Sequence, residues 1–382
     1  MIEITCQVKE LVEKLTVLSK VNLGSMKSLA PISVRVNDNP NLCELCLLFN
    51  SNYNQHSTYA DYYAYLGNVT CEGNGMFVIP SFVELLTILK TIGQNDYIAI
   101  RFENDNKVSV LYGDDVVFNA DLGTPEDSHI QLLNTFEFDK GLQVSSVFLD
   151  YVSDLLKVIP STKDLKGTFF DSVVLDKHPV KSNCLSLMRT DTKRLMYYNV
   201  SLDTTWPFEC LIAPRDAMTW VSKLKKKKNK SILIKSHEHA LSLEYDDYRV
   251  VCLVDKNFPP VTNFIKADVD CVLTVSTEPF IKAVEFAAIG DGKNVVTIRV
   301  KNQEAEVFMY TYMEKEKLRK RILNCVLDGG KEFDFSIYGF QLVSLLKLCG
   351  ETVSIHKLVL DKTYLITSAG KDFQYIIKGV TI

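Results

Sequence analysis

No stretch of about 18 uninterrupted apolar residues occurs in these 382 residues, so nothing reads as a membrane-spanning helix. Met1 runs directly into an alternating strand and a helix without a basic-then-apolar leader, and no secretion signal is expected. The ten cysteines follow no regular framework, which points to reduced thiols in a cytoplasmic compartment. Also missing are GxxxxGK[ST], GxGxxG after a strand, GxSxG and HExxH, and no convergent carboxylates or nucleophile–base set is apparent. Catalysis is therefore not expected, and neither is a cofactor or a metal. Cys43-Glu44-Leu45-Cys46 has metal-like spacing, but no second pair answers it and a strand would turn the two thiols to opposite faces. His237-Glu238-His239 falls between two alternating runs, where a solvated hairpin turn belongs. A formal charge of -4 and a pI near 5.9 argue against a protein that coats nucleic acid with its whole surface, although net charge leaves its distribution open.

What is present is a phrase repeated three times. With 47% apolar and 24% charged residues the composition is ordinary globular usage, and the length suits three domains. Each repeat opens on a short strand and an amphipathic helix. Ile2–Cys6 precedes the stripe Val8, Leu11, Val12, Leu15 and Leu18; Phe136-Glu137-Phe138 and Val144 precede Phe148, Val152, Leu155 and Ile159. Val272–Val275 leads to cap candidates Ser276 and Thr277, Pro279 in the first turn, then Phe280, Ala283, Val284 and Ala287. Second helices are expected to open on Ile79-Pro80-Ser81 (before Phe82, Leu85, Leu86, Leu89) and Ala213-Pro214-Arg215 (before Met218, Val221, Leu224), proline being best tolerated in the first turn, and the two prolines lie 134 positions apart. The third repeat offers Phe340, Val343, Leu346 and Leu348 after Ser336-Ile337. Period-two alternation in Lys107–Tyr112, Ser231–Ile234 and Val295–Val300 predicts antiparallel strands with one wet face. Turn signals lie at Glu72–Gly75, Tyr112–Asp115 and Asp291–Asn294. The class is α+β, in three tandem domains at 1–130, 131–264 and 265–382, with linkers near Gly123–Ser128 and Phe258–Asn263.

Lysines cluster at equivalent places. Lys223 to Lys230 holds six lysines in eight residues at the end of the second helix of the middle repeat, and Lys20, Lys27, Lys90, Lys157, Lys163, Lys166 and Lys347 fall in or just after helices. A lysine run is by default a solvated face, but its recurrence over three repeats favours a positive helical face bordering phosphates. Lysine reads no base edges, so such a face would hold duplex without choosing sequence.

Three stretches carry a resemblance. Leu187-Met188-Arg189-Thr190-Asp191-Thr192-Lys193-Arg194-Leu195 is similar to a T-D-x-x-R-L strand and turn. Leu211–Arg215 followed by Cys252–Pro259 is similar to a V-P-R helix start and an L-V-D-G-x-F-P segment, and Phe373–Ile382 matches a short closing strand. In this order the chain resembles the bacterial sliding clamp, the beta subunit of DNA polymerase III, over essentially its whole length. The resemblance implies a homodimeric, head-to-tail ring of six DNA-clamp domains, its twelve helices lining a hole that encircles double-stranded DNA. It implies a processivity factor without catalytic activity, whose partners are DNA polymerase, the clamp loader and other clamp-binding peptides, with no membrane involved. The implied peptide groove comprises Thr190, Thr192, Arg194, Leu195, Pro259, Phe264, Ile376, Val380 and Ile382. DNA contacts are expected at Lys27 and Lys163 with Phe169 and Phe170, and, from charge alone, at Lys223, Lys225, Lys226, Lys227 and Lys228. The dimer contact is expected near Phe286 and Ile289 against the strand around Val116 and Phe118. Lys378–Ile382 lacks the bulk usual at the family's chain end, Lys193 replaces a common histidine and Asn263-Phe264 a basic-aliphatic pair, so an altered tail preference is expected. A second reading is a non-enzymatic DNA-binding scaffold of mobile-element origin. A processivity factor built from two-domain chains would show two repeats where three are visible.

Overall fold

The computed structural model describes residues 2–21, 31–36, 41–51, 58–102, 107–121, 136–138, 141–162, 168–227, 229–259, 261, 267–289, 295–301, 303–310, 317–329, 332–360 and 362–380. The element order repeats three times. First come β1 (Ile2–Gln7), α1 (Val8–Leu18), β2 (Ile32–Val36), β3 (Cys43–Ser51), β4 (Thr58–Leu66), β5 (Val69–Glu72), β6 (Gly75–Ile79), α2 (Phe82–Leu89), β7 (Tyr97–Phe102), β8 (Lys107–Tyr112) and β9 (Asp115–Asp121). Then follow β10 (Leu142–Ser145), α3 (Val147–Val158), β11 (Ser172–Lys177), β12 (Cys184–Thr190), β13 (Arg194–Ser201), β14 (Leu211–Pro214), α4 (Arg215–Val221), β15 (Ser231–His237), β16 (Ala240–Tyr245) and β17 (Tyr248–Leu253). The last run is β18 (Val269–Ser276), α5 (Thr277–Ala287), β19 (Val295–Lys301), β20 (Glu304–Tyr310), β21 (Lys317–Asp328), β22 (Glu332–Tyr338), α6 (Gly339–Leu346), β23 (Thr352–Leu358), β24 (Thr363–Ser368) and β25 (Phe373–Lys378). The fold is α+β, with helices packed on antiparallel sheets, as the alternation predicts.

The chain divides into two compact units, residues 1–152 with 211–256, and 153–210 with 257–382. In the first, one sheet runs β5-β1-β7-β8-β9 and a second runs β10-β15-β16-β17-β4-β3-β2-β6. In the second unit the strands run β11-β12-β13-β25-β24-β23-β18-β21-β20-β19-β22. Each unit therefore contains a seam between repeats. β17 pairs antiparallel with β4 from Tyr248↔Ala64 to Cys252↔Ala60, and β13 with β25 from Arg194↔Ile377 to Tyr198↔Phe373.

Helix stripes follow the apolar spacing. Val8, Leu11, Leu15 and Leu18 of α1, Phe148, Val152 and Leu155 of α3, and Phe280, Ala283, Val284 and Ala287 of α5 are all buried. Four expectations need correction. In α1 the buried stripe takes in Lys14 at 5% exposure, while Val12 is half-buried. In α6 the buried side is Leu342, Leu345 and Leu346, and Phe340 is 44% exposed; Gln341, Ser344 and Lys347 mark the polar side, so Phe340 belongs to the edge of the outer face. Pro80 precedes the N-cap Ser81 and Pro214 is itself the N-cap residue, so both stand just before their helices instead of inside the first turn. Phe136-Glu137-Phe138 forms no strand; its two rings pack beside Cys46, Tyr63 and Val251 instead, and the strand of that repeat is β10. Asp291–Asn294 and Gly123–Ser128 lie outside the described residues.

Candidate peptide-docking site and nucleic-acid interface

The turn between β12 and β13 is built from its own side chains. Asp191 accepts from the backbone N–H groups of Lys193 (3.2 Å) and Arg194 (2.9 Å), and its other oxygen accepts from Arg194 Nε at 2.8 Å. Thr190 Oγ1 donates to the Arg194 carbonyl at 2.6 Å and accepts from Thr192 N–H at 3.3 Å. These bonds hold Thr192 at φ 73°, a left-handed conformation that costs a non-glycine residue on the order of 1 kcal/mol. Aspartate suits such a turn because its carboxylate reaches the amides two and three residues on.

Two buried arginines tie this turn to α3. Arg194, 4% exposed, donates to the Val158 carbonyl at 3.3 Å; Arg189, 1% exposed, donates to the carbonyls of Ile159 (2.6 Å) and Ser172 (2.9 Å) and to Asp171 at 3.0 Å. Cations at the carbonyl end of a helix satisfy orphan acceptors and complement the helix dipole. Across the seam Leu195 pairs with Ile376, and Tyr375 lies fully buried, its phenol pushed up by that burial. Beyond β25 the backbone is held by Lys378 N–H to the Lys193 carbonyl (3.1 Å) and Val380 N–H to the Ser336 carbonyl (2.8 Å).

Of the nine expected groove residues, Thr190, Arg194, Leu195 and Ile376 therefore meet at one end of the seam. Thr192 is exposed on the turn, Val380 is half-buried and Pro259 is exposed, while Phe264 and Ile382 lie outside the described residues. Leu195 and Ile376 are 6% and 4% exposed, so they form a floor, and the apolar surface left at these positions belongs to Val380 and Pro259. A separate concavity of ≈ 310 Å³ opens at the opposite end of the same seam, between Asn199, Ser201, Phe373 and Gln374, and shares none of the groove residues. Arg189 lies inside the Leu187–Leu195 stretch, and its part in holding the end of α3 is visible only in the fold. The signal was a cation inside an otherwise apolar strand.

The lysine run begins after α4 ends, so it does not extend the helical face. Lys223 is exposed and donates to the Lys20 carbonyl at 3.1 Å, beside Trp220 Nε1, which donates to the Val17 carbonyl at 3.0 Å. Lys226 pairs with Asp150, and Lys227 and Lys230 share Asp246, the latter at 3.2 Å. Asp246 is held below the usual carboxylate range by these two lysines, whose attraction outweighs the cost of its partial burial. Carboxylates thus offset much of the run, and Lys225, exposed, keeps its charge toward solvent. Lys20, Lys90, Lys157 and Lys347 stand exposed in the last turns of their helices or just beyond, where the dipole alone would favour them. Phe170 is half-buried in a short 3-10 turn with Phe169; Lys27, Lys163, Lys166 and Lys228 lie outside the described residues. Ile289 (51%) and Val116 (57%) are exposed, Phe286 is half-buried and Phe118 is buried at 6%. Cys43 and Cys46 are both buried on β3, and Glu238-His239 forms the turn between β15 and β16.

Three repeats of paired helices on antiparallel strands, sewn together through sheet seams, define the architecture of a DNA clamp. The solved structures that match bear this out over the whole chain. A putative DNA polymerase III beta subunit from Eubacterium rectale superposes with a TM-score of 0.82 at 13% identity, covering 100% of this chain and 99% of that one. The DNA polymerase III subunit beta from Pseudomonas aeruginosa gives 0.82 at 16% and 100% of both chains, and the DNA polymerase sliding clamp from Bacillus subtilis 0.80 at 18%, covering 100% and 99%. Neither a family model nor a curated sequence matches the chain. The chain has the fold of the bacterial sliding clamp, the beta subunit of DNA polymerase III, with the low identity of a divergent example.

Proposed function

We propose that this chain is a DNA polymerase processivity factor: two copies close head to tail into a ring around duplex DNA and tether polymerase, loader and other clamp-binding proteins. The observation that carries the reading is the end-to-end correspondence with DNA polymerase III beta structures. The three clamp domains are taken as 1–130, 131–264 and 265–382. Encirclement makes weak contact sufficient, because lysines such as Lys20, Lys223 and Lys225 attract phosphates over a Debye length of about 8–10 Å without reading sequence. Lys27 and Lys163 join them from sequence position. Retention then comes from closure, and the acidic remainder of the surface disfavours other modes of DNA contact. The role places the protein in the cytoplasm at the nucleoid.

Docking is assigned to the end of the β13–β25 seam, where Thr190 and the exposed Thr192, held in place by the buried Arg194, set the rim and Val380 and Pro259 supply apolar surface. Each apolar peptide side chain that becomes fully buried would contribute about 1.5–3 kcal/mol. Because the floor is filled by Leu195 and Ile376, the groove should prefer a tail with small apolar side chains. Titration with a consensus clamp-binding peptide tests this: clearly weaker binding than to an ordinary clamp is expected, and equal affinity would remove the altered preference. A scaffold of mobile-element origin remains the second reading, favoured by the unusual chain end, and complete failure to bind any polymerase tail would support it.

A further inference from the structure

We propose that the concavity at the Ser201 end of the β13–β25 seam binds a single nucleotide, its phosphate held by two lysines and the amino group of its base by an acceptor in the wall. This site goes beyond the clamp reading and stands whether or not a ring closes.

The concavity opens because the seam runs out there. β12 and β13 stay paired as far as Cys184↔Ser201, whereas the last pair across the seam is Tyr198↔Phe373, so Asn199, Val200 and Ser201 run on beyond it. Two hairpin ends flank the gap. Between β11 and β12 the His178 ring, itself buried, accepts at Nδ1 from the N–H groups of Val180 (3.1 Å) and Lys181 (3.0 Å), and Leu202 N–H donates to the Asn183 carbonyl at 3.1 Å. Between β24 and β25 Lys371 N–H donates to the Ser368 carbonyl at 3.2 Å, while Ser368 Oγ donates to the Thr352 carbonyl and accepts from Gly350 N–H, both at 2.8 Å. Both ends are thereby fixed, and each presents a lysine to the space of ≈ 310 Å³. That volume lies at the small end of the range for ligand pockets and suits one nucleotide better than a strand.

The lining divides by chemistry. Lys181 and Lys371 are exposed and make no ion pair among the described residues. The Cys184 thiol in the wall is pushed up by burial and drawn back by Lys181, so the field of that ammonium reaches inward. Flexible point charges of this kind suit a phosphate, where planar recognition of a carboxylate would call for the fork of arginine. Asp372 is the one carboxylate on the described lining, and two lysines against it leave the site positive. Gln374, whose Oε1 accepts from the Tyr197 hydroxyl, keeps its amide N–H groups to donate.

The wall also holds acceptors without donors. Asn199 Oδ1 is buried and has no hydrogen-bond partner among the described residues, and the same is true of Ser186 Oγ, directly opposite it across the strand pair on a residue 1% exposed. Such groups are exceptions in folded proteins and call for an occupant or a water. The first unit shows the contrast. Counted from the corresponding seam pairs, Tyr248↔Ala64 and Phe373↔Tyr198, the counterpart of Asn199 is Tyr65, whose ring packs with Phe136 and Phe138 against Cys46, Tyr63 and Val251. An amide in place of a phenol leaves room and an acceptor. Rotation about its terminal bond, which is soft, brings Oδ1 to the space that Asn199 lines, where it can accept from the amino group of cytosine or adenine. Phe373 is 2% exposed, so stacking on its ring is not the mode of binding.

Equilibrium dialysis of the full chain against deoxycytidine monophosphate and deoxyuridine monophosphate tests the site, because the two bases differ by an amino group against a carbonyl. Saturable binding of the cytidine nucleotide with a dissociation constant of about 1 mM or tighter is expected, at least about fivefold tighter than the uridine nucleotide. Lys181→Glu with Lys371→Glu should weaken it about tenfold or more without moving the thermal melt, since both side chains are exposed. Asn199→Leu should abolish the preference between the two bases and keep the sensitivity to the lysine pair. A short single strand of deoxycytidylate should bind no more tightly per site than the monomer. No binding at about 10 mM, binding that survives both charge reversals, or equal affinity of the wild type for the two nucleotides overturns the site. A strand that binds where the monomer does not overturns it as well, and none of these results bears on whether the chain closes into a ring.

Discussion

Asp61 is a carboxylate that the fold buries at some cost. It sits on β4 opposite Val251, 5% exposed, and its carboxyl is pushed up to about 7 because burial penalises the anion. The Tyr63 hydroxyl, donating at 3.3 Å, and Arg249 relieve part of that penalty, and Glu44 adds to it. Between the unfolded value near 3.8 and about 7 the folded chain holds a proton that the unfolded chain has released, so stability falls as pH rises through that window. Asp61→Asn should therefore gain roughly 1–4 kcal/mol over the wild type at pH 8 and almost nothing at about pH 4, read from paired thermal melts. An equal gain at both pH values would contradict the burial account. Arg189 makes the opposite case. Its removal takes one donor from Asp171 and one from each of two carbonyls, and Arg189→Ala should destabilise the second unit by about 3 kcal/mol or more. Among the lysines, Lys20→Glu with Lys225→Glu should shorten residence on nicked circular DNA several-fold. Lys226→Ala with Lys227→Ala, whose charges Asp150 and Asp246 already offset, should change it far less.

Elements were legible where one periodicity dominated. The stripes of α1, α3 and α5 and the alternation of β8, β15 and β19 could be read because a single buried face repeats every 3.6 or two residues. Lys14 was missed because its partner, Asp247, comes from a distant hairpin, and no local spacing marks a cation as buried. The phase of α6 was missed because the stripe was laid on Phe340, Val343 and Leu346, whereas the polar residues Gln341, Ser344 and Lys347 mark the outer side and Leu342, Leu345 and Leu346 the inner one. Two substitutions check the observed phase: Leu345→Ala should cost about 2–5 kcal/mol in denaturant unfolding, and Phe340→Ser less than about 1 kcal/mol. The turn Thr190–Leu195 was recognisable from its residues, but the reason for them, an Asp191-centred set of bonds and two arginines on the carbonyl end of α3, required the folded chain. Seam registers could not be read at all, since β17–β4 and β13–β25 join segments far apart in sequence.

At the scale of the whole molecule, two seams between repeats, β17–β4 and β13–β25, are made within the chain, and among the described residues β9 stands at the edge of its sheet. A heterologous pair of ends closes into a ring only when the rotation per chain suits a whole number of copies, and the proposed number is two. Ring closure also separates binding from affinity: a clamp held by encirclement needs little contact energy, whereas an open DNA-binding scaffold must hold by contact alone. Loading the protein onto nicked circular DNA with a clamp loader, then cutting the circle at one distant site, distinguishes the two most directly. Encirclement predicts long retention on the circle and rapid loss from the linear product at unchanged ionic strength. Equal retention on both would contradict it.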